Sequence, residues 1–222
     1  MKRSRQQDHG DRRRAGTSLI DLMIGLSLLA LMLGSLATAS RSGTHLFQSG
    51  VVRSQLEVQS LRTLNKIRQE LFVSELASIA GIAQAPFWDD QLEFDQPDDF
   101  SSEAGMLSKQ AVRFELRYED GELDDGIDND SDGLIDECVV VLIRDAGGAG
   151  EQEVVLCRNV SEYLEGELPN GADDNGNGLI DEKGLCFDIT GQVLTLRLTL
   201  ADRDRIGNVI TRTLVTSIWL RN

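Results

Sequence analysis

Apolar residues form one uninterrupted run near the start of the chain. Between Thr17 and Ala39 the only charged residue is Asp21. A helix of about 20 apolar residues, rising about 1.5 Å per residue, spans a hydrocarbon core of about 30 Å. Residues 17–39 are therefore predicted to form a membrane-spanning helix, and Asp21 is expected to need a partner there.

The pattern changes over residues 40–80 to that of an amphipathic helix. This segment contains no proline, and its apolar residues recur every three to five positions with charged residues between them. Such a stripe predicts that the first helix continues and packs one face on a folded domain. The stripe comprises Leu56, Leu61, Leu64, Ile67, Leu71, Leu76 and Ile79.

Apolar and polar residues then alternate, as they do in β-strands with one buried face. Residues 81–104 are predicted to be irregular, because Pro86 and Pro97 interrupt them. The predicted fold class is α+β and pilin-like, with one long N-terminal helix packed on an antiparallel β-sheet domain over residues 81–222. The alternating segments are 112–118, 194–200 and 210–220.

Two further strands, 139–144 and 151–158, flank a glycine-rich turn. If facing residues have numbers that sum to 295, Arg144 faces Glu151 and apolar residues face one another. Such complementary partners favour one register, so the segment is predicted to form a hairpin with this pairing.

The same register brings two cysteines together. It places Cys138 opposite Cys157, and a disulfide between them is plausible in an oxidising compartment. The chain has a third cysteine, Cys186. Three cysteines allow three different single bridges, so the pairings that involve Cys186 stay open.

Two acidic segments form an internal repeat. Residues 125–137 read DGIDNDSDGLIDE, and residues 170–182, 45 positions further on, read NGADDNGNGLIDE. Seven of the thirteen positions are identical, and four others exchange Asp for Asn, which keeps a side-chain oxygen. Carboxylates at alternate positions, followed by a glycine that turns the chain sharply, can converge on one calcium ion. Each segment is therefore predicted to be a calcium loop.

Calcium is thus the predicted cofactor, bound at two sites. An EF-hand would have glutamate at the position of Val139, so the loops instead resemble the compact aspartate-rich calcium loops of secreted bacterial and thrombospondin-like proteins. The side chain of Ile135 is expected to point into the core. The predicted ligands of the first site are Asp128, Asp130, Asp132, the carbonyl of Leu134, Asp136 and Glu137. Those of the second site are Asp173, Asn175, Asn177, the carbonyl of Leu179, Asp181 and Glu182.

The charges of the two sites predict their order of filling. The first site has five carboxylates and the second has three, so the second is expected to bind calcium more weakly. Magnesium is disfavoured, because it retains more water and takes fewer protein ligands. Without the ion, mutual repulsion is expected to loosen both loops. The simpler alternative is a pair of solvated acidic turns, since Asp, Asn and Gly are common turn residues.

A basic leader precedes the apolar run. Residues 1–16 include six basic and two acidic residues, an excess that holds the N-terminus in the cytoplasm and sends the later chain outward. The leader, its final Gly16 and the acid Asp21 resemble the processing site of type IV pilins and type II secretion pseudopilins. The resemblance implies that a prepilin peptidase cuts between Gly16 and Thr17. It also implies that Asp21 meets the new amino group of Thr17 on a neighbouring pilin-like subunit.

The chain departs from the family pattern in two places. The family usually has Phe where this chain has Thr17, and Glu where it has Asp21. Minor, low-copy members tolerate such changes better, and the closing stretch 193–222 resembles the end of minor pilins of the W or J type. The resemblance therefore implies a minor pilin or pseudopilin that primes or joins a type IV pilus or a secretion pseudopilus. Its helix would lie in the inner membrane and its C-terminal domain in the periplasm.

Other interpretations of the same residues stay open. An ordinary secretory signal would end at Ala37-Thr38-Ala39, so that the mature protein would start at Ser40. A plain single-span anchor would keep the leader. The alternative function is that of a calcium-dependent adhesin or binding module, either anchored in the membrane or secreted.

Charge and composition exclude other classes of function. The net charge is −15, and removal of a leader that carries +4 would leave −19. Such an acidic domain is not expected to bind nucleic acid, which requires clustered Lys and Arg. The two histidines, His9 and His45, precede the predicted outer domain. No Ser-His or Cys-His arrangement is therefore expected there, and the chain is predicted not to be an enzyme.

Overall fold

The computed structural model describes residues 18–72, 78–80, 88–101 and 106–220. Within these residues the chain has one α-helix and nine β-strands. The chain divides into two compact units, Met1–Leu46 and Phe47–Asn222. Gly16 and Thr17, the predicted cleavage site, lie outside the described residues.

A single helix, α1, comprises Leu19–Leu71. The amide of Ser18 donates a hydrogen bond to Asp21 Oδ2 (3.3 Å), and the amide of Ile20 donates one to Ser18 Oγ (3.4 Å). These two bonds satisfy amides that the first turn leaves free, and an acid in that turn also suits the positive end of the helix dipole. Asp21 therefore caps the start of its own helix.

The part of α1 that belongs to the first unit is apolar and exposed. Its leucine, isoleucine and methionine side chains from Leu19 to Leu36 are all more than half exposed. The helix is long and apolar enough to cross a membrane. A single N-terminal helix of this kind is typical of a membrane anchor or a signal sequence.

The part of α1 that belongs to the second unit packs on the sheet. Four of the seven residues of the predicted stripe are buried there, Leu61 is exposed, and Leu76 lies outside the described residues. The prediction that the helix continues to residue 80 is wrong. The helix ends at Leu71, and Ile79 already belongs to a strand. The spacing of apolar residues near Ile79 did not distinguish a helix from a strand. The buried residues of the stripe are Leu56, Leu64, Ile67 and Leu71.

The nine strands form one sheet in which every pair is antiparallel. They are β1 (Ile79–Ala80), β2 (Trp88–Asp89), β3 (Gln91–Ser101), β4 (Met106–Tyr118), β5 (Cys138–Arg144), β6 (Gln152–Val160), β7 (Leu185–Thr190), β8 (Val193–Arg203) and β9 (Val209–Trp219). Their order is β1-β3-β4-β5-β6-β8-β7-β2, and β9 pairs with β8. This sheet and the helix confirm the predicted α+β fold.

Strand β3 corrects the prediction that residues 81–104 are irregular. Leu92 and Phe94 are buried and alternate with partly exposed polar residues, as in any strand with one buried face. Pro97 is tolerated because β3 pairs with β4 there, whereas β1 reaches only as far as Glu93 and Phe94. A proline is acceptable where a strand has one neighbour, since it lacks only the amide.

The hairpin of β5 and β6 forms, but its predicted register is wrong. Val141 faces Val155 and Arg144 faces Gln152, so that paired numbers sum to 296 over this part of the ladder. The ladder shifts again on both sides of Val140. Since β5 is buried on both faces, its apolar pattern fits either register, and only packing in the sheet decides between them.

The observed register also separates the two cysteines that the sequence paired. Cys138 and Cys157 each face a valine and not each other, so the pairing that suggested a disulfide does not form. All three cysteines are buried thiols. Cys186 lies in a separate small cluster, with Leu164 and Leu179.

The main core lies between α1 and one face of the sheet. Within it the rings of Phe94 and Phe114 stack, with centroids 5.9 Å apart. The other face of β5 is buried as well, through Val139 and its neighbours on alternate positions. An ion pair between Arg117 on β4 and Glu153 on β6 (2.8 Å) spans β5 on that face.

Candidate metal centre

The two acidic segments form loops with the same backbone conformation. The first connects β4 to β5 and the second connects β6 to β7. The amide of Glu119 donates to the carbonyl of Glu137 (3.0 Å), and the amide of Leu164 donates to that of Glu182 (2.9 Å). We call residues 119–137 loop 1 and residues 164–182 loop 2. Positive φ angles occur at matching positions: Gly121 and Gly166, Gly126 and Gly171, Ser131 and Gly176, Gly133 and Gly178, and Asp136 and Asp181.

Two of the predicted ligands close the loops. Asp136 accepts a hydrogen bond from the amide of Gly126 (2.9 Å), and Asp181 accepts one from the amide of Gly171 (2.9 Å). Both aspartates have φ near +50°. This left-handed conformation is more accessible to Asp than to most residues. Their first role in the structure is therefore to hold together the two ends of each repeat segment, 125–137 and 170–182.

The leucine after the last glycine faces inward, and the isoleucine that follows it faces outward. Leu134 and Leu179 are buried, whereas Ile135 and Ile180 are 59% and 52% exposed. The expectation that Ile135 points into the core is therefore wrong. The positive φ of the preceding glycine turns the chain, so the side-chain direction cannot be read from alternation.

Five carboxylates converge in loop 1. Oxygen atoms of Glu122, Asp130 and Glu137 lie within 4.8 Å of one another, and so do those of a second group that shares Asp130. Such convergence of like charges is unfavourable without a counter-ion. The second group comprises Asp128, Asp130 and Asp132. A further group, Asp124, Asp136 and Glu162, lies at the closure of the loop.

Glu137 is a buried carboxylate of loop 1 that lacks hydrogen-bond donors. It is 1% exposed, and neither of its oxygens has a hydrogen-bond partner among the residues that the structure describes. Burial, together with the charges of Asp132 and Glu122, raises the pKa of Glu137 to about 7. A buried carboxylate without a partner is costly, and a bound cation would remove that cost.

Glu122 supports this centre from outside the repeat that the sequence pattern defined. Its Oε1 accepts hydrogen bonds from the amides of Asn129 (3.0 Å) and Asp130 (2.8 Å), and its Oε2 accepts one from the amide of Asp136 (3.2 Å). Glu122 is buried. It therefore fixes the path of the loop while adding negative charge to the centre.

Loop 2 has the same framework with fewer charges, and within the described residues no three of its acids bring their oxygens within 4.8 Å of one another. Glu167 Oε1 accepts a hydrogen bond from the amide of Asn175 (2.9 Å), as Glu122 does in loop 1. Glu167 Oε2 and Glu182 Oε2 are buried and have no partner within the described part of the chain. Burial is the main cause that raises the pKa of Glu182, and the charge of Glu167 adds to it.

The other predicted ligands of loop 2 are engaged within the loop. Asp173 accepts hydrogen bonds from the amides of Gly176 (2.6 Å) and Gly178 (2.8 Å). Asn175 and Asn177 accept hydrogen bonds from the amides two residues further on, at 3.0 and 2.9 Å. Asp130 and Asp132 do the same in loop 1, at 2.9 and 2.8 Å.

One pair of Asp/Asn exchanges between the loops is reciprocal. In loop 1 the side-chain amide of Asn129 donates to Asp125 (3.0 Å), and in loop 2 that of Asn170 donates to Asp174 (2.7 Å). Each loop thus keeps one acid and one amide at these positions, in opposite order. These exchanges preserve a hydrogen bond and do not alter the charge of the centre.

The sequence pattern missed Glu122 and Glu167. Extending the repeat upstream by four residues reveals them, because the triplet Gly-Glu-Leu occurs at 121–123 and again at 166–168. Over residues 121–137 and 166–182, ten of the seventeen positions are identical. The donor atoms of both centres are carboxylate and amide oxygens, which suit hard cations such as calcium.

Comparisons with models of known protein families, with curated proteins and with solved structures gave no match. The arrangement of one long apolar N-terminal helix followed by an antiparallel sheet domain is compatible with a pilin-like layout.

Proposed function

We propose that the chain is a membrane-anchored subunit of the minor pilin or pseudopilin type, whose outer domain binds calcium in loops 1 and 2. The construction of α1 is the observation that carries this proposal. Its first part exposes apolar side chains on all sides, and its last turns bury a stripe against an antiparallel sheet. The first part needs lipid or neighbouring apolar helices around it. A filament subunit is surrounded by lipid before assembly and by the helices of other subunits afterwards.

The leader adds the processing step. Gly16 ends a basic segment directly before the apolar run, as in the substrates of prepilin peptidase. Cleavage there would create an amino group at Thr17, four residues before Asp21 and next to Ser18, whose amide Asp21 caps. Asp21 would then neutralise the Thr17 amino group of a neighbouring pilin-like subunit in the inner membrane, since a carboxylate in lipid requires a partner.

The mature N-terminus tests the anchor. The full chain is produced together with a prepilin peptidase, extracted from membranes and analysed by mass spectrometry. We expect a chain that starts at Thr17, and a Gly16→Val variant that keeps its leader. A start at Ser40 would identify a secretory signal, and a start at Met1 or Lys2 would identify a simple anchor. Either result would overturn the pilin assignment.

Assembly tests the function itself. Loss of pili or of secretion is expected when the gene is deleted, and Asp21→Asn should fail to restore it because the carboxylate charge is gone. Ser35→Ala is a control in the same exposed part of the helix, since among the described residues its hydroxyl donates a hydrogen bond only to the carbonyl of Met32 (2.9 Å). Intact filaments with lost attachment would instead favour the adhesin function.

The orphaned carboxylates support calcium as the cofactor. Glu137 and Glu182 are almost fully buried with unpartnered oxygens, which a cation would satisfy. Calorimetric titration of the full chain in detergent should show calcium binding at two sites. Glu137→Gln should remove the tighter site and Glu182→Gln the weaker one. Absence of heat and of thermal stabilisation with calcium would reject the cofactor.

A further inference from the structure

Loops 1 and 2 differ in one contact at their centres. In loop 2 the side-chain amide of Asn177 donates a hydrogen bond to Oε1 of Glu182. In loop 1 the matching residues are Asp132 and Glu137. An ionised carboxylate has no hydrogen to donate, so Asp132 cannot make this bond. Correspondingly, both oxygens of Glu137 lack a partner among the described residues.

A second contact differs in the same sense. Asp173 of loop 2 accepts hydrogen bonds from three consecutive backbone amides, those of residues 176–178, at 2.6 to 3.1 Å. Its counterpart in loop 1 is Asp128, whose Oδ1 is buried and has no partner in the described part of the chain. Loop 2 thus supplies its own donors to Glu182 Oε1 and to Asp173, whereas both oxygens of Glu137 and Oδ1 of Asp128 have no donor among the described residues.

We propose that the residue at position 132 or 177 determines whether its loop requires a cation in order to fold. Loop 2, with Asn177, folds without calcium. Loop 1, with Asp132, becomes ordered only when a cation occupies the place that the Asn177 amide fills in loop 2. The proposal rests on the proposed function in one respect, that the cation is calcium.

Loop 2 can still bind a cation, although it does not need one in order to fold. Oε2 of Glu167 and Oε2 of Glu182 stay buried and unpartnered within the described residues, so two oxygens remain available to a cation. The amide of Asn177 competes with that cation for the carboxylate of Glu182. Calcium therefore binds loop 2 more weakly and changes its order less than it changes that of loop 1.

Hydrogen–deuterium exchange of the full chain in detergent tests the proposal, with mass spectrometry in EGTA and in millimolar calcium. Peptides from loop 1 should exchange at least about tenfold faster in EGTA than in calcium, because local opening exposes their amides. Peptides from loop 2 should be protected in both conditions. Equal exchange of both loops in EGTA would overturn the proposal.

Exchanging the two residues tests the cause. Asn177→Asp should make the protection of loop 2 depend on calcium, and Asp132→Asn should restore protection of loop 1 in EGTA. Asn65→Asp is the matched control, because it adds the same charge on an exposed face of α1. If Asn177→Asp leaves loop 2 protected in EGTA, the proposal is wrong.

The reciprocal variant decides the case in which Asn177→Asp does not fold. Asp132→Asn removes a charge and is expected to fold, and unprotected loop 1 amides in this variant in EGTA would overturn the proposal. A different result would contradict the proposed function. If calcium produces no heat of binding in calorimetry and no protection from exchange in either loop, calcium is not the ligand.

Discussion

Arg144 on β5 donates a hydrogen bond to the buried carboxylate of Glu70 on α1, at 2.7 Å. Lys66, one turn earlier on the helix, contacts the same oxygen at 2.7 Å. The side-chain amide of Gln96 on β3 donates to the other oxygen at 3.4 Å. Glu70 thus joins the last turn of the helix to two strands of the sheet. Because it is paired on both oxygens, it is a polar contact that the core can accommodate.

Replacing Glu70 should loosen the junction of helix and sheet. Glu70→Gln keeps the shape but removes the charge, and we expect a loss of about 2 kcal/mol in the free energy of unfolding, typical of a hydrogen bond to a charged group. Urea denaturation of the full chain in detergent measures this. Asp95→Asn is the control, because its pair with Lys109 is exposed and long (3.8 Å), and its loss should be below about 1 kcal/mol. Equal losses would contradict the prediction.

The same pair predicts a dependence on pH. Burial by itself raises the pKa of Glu70, but the hydrogen bond from Lys66 and the charge of Arg144 outweigh it, so its pKa lies below the usual 4.5. The stabilisation is therefore complete above pH 4.5 and is lost as the pH falls through the lower folded value. The difference in stability between wild type and Glu70→Gln should shrink in that window. A difference independent of pH would contradict this assignment.

For the calcium-free protein, the raised pKa of Glu137 predicts the opposite dependence of stability on pH. Burial and neighbouring acids raise its pKa from 4.5 to about 7, so the folded chain holds a proton that the unfolded chain releases between these values. In EGTA the ordered state of loop 1 should therefore lose stability as the pH rises through this window, by about 1 to 3 kcal/mol from this residue, so that the loop is open above it. Glu137→Gln should show a smaller fall in thermal denaturation. The same fall in both proteins would contradict the prediction.

Gly133 should tolerate a side chain less well than its counterpart in loop 2. Both Gly133 and Gly178 have positive φ, which disfavours alanine by about 1 kcal/mol or more. A Cβ atom at Gly133 would also displace the exposed guanidinium of Arg203 and so break its hydrogen bonds to the carbonyl of Gly207, whereas one at Gly178 meets open space. In saturating calcium, Gly133→Ala should therefore destabilise the chain more than Gly178→Ala.

The double variant checks the cause of this difference. Arg203→Ala combined with Gly133→Ala should cost less than the two separate losses summed, because no guanidinium is left to displace. Additive losses would show that Arg203 is not the reason.

Phe114 should be among the most sensitive positions of the core. It is fully buried and stacks on Phe94, so Phe114→Ala should lower the free energy of unfolding by about 3 to 5 kcal/mol. Val155→Ala, at a half-exposed position of β6, is the control and should cost much less. Chemical denaturation measures both free energies of unfolding. Similar losses in the two variants would contradict the prediction that Phe114 contributes more to the core than Val155.

Periodicity was sufficient where one face of an element is buried and the other is not. Apolar residues of the helix from Leu56 to Leu71, and those of β4 and β9, follow the expected period because the opposite side of each element is at least partly exposed. It failed for the register of β5, which is buried on both faces and gives no such contrast. It also failed for β3, where a proline outweighed an alternation that was present.

The sequence by itself determined the apolar helix and the repeat, because both are properties of neighbouring positions along the chain. Only the tertiary structure decided which acids share a centre. Glu122 reaches it from before the repeat, whereas Asp136 closes the loop instead. The reason is physical: the direction of a side chain in these loops depends on the sign of φ at each turn. The charge that a carboxylate experiences depends on burial, which is a property of the folded chain as a whole.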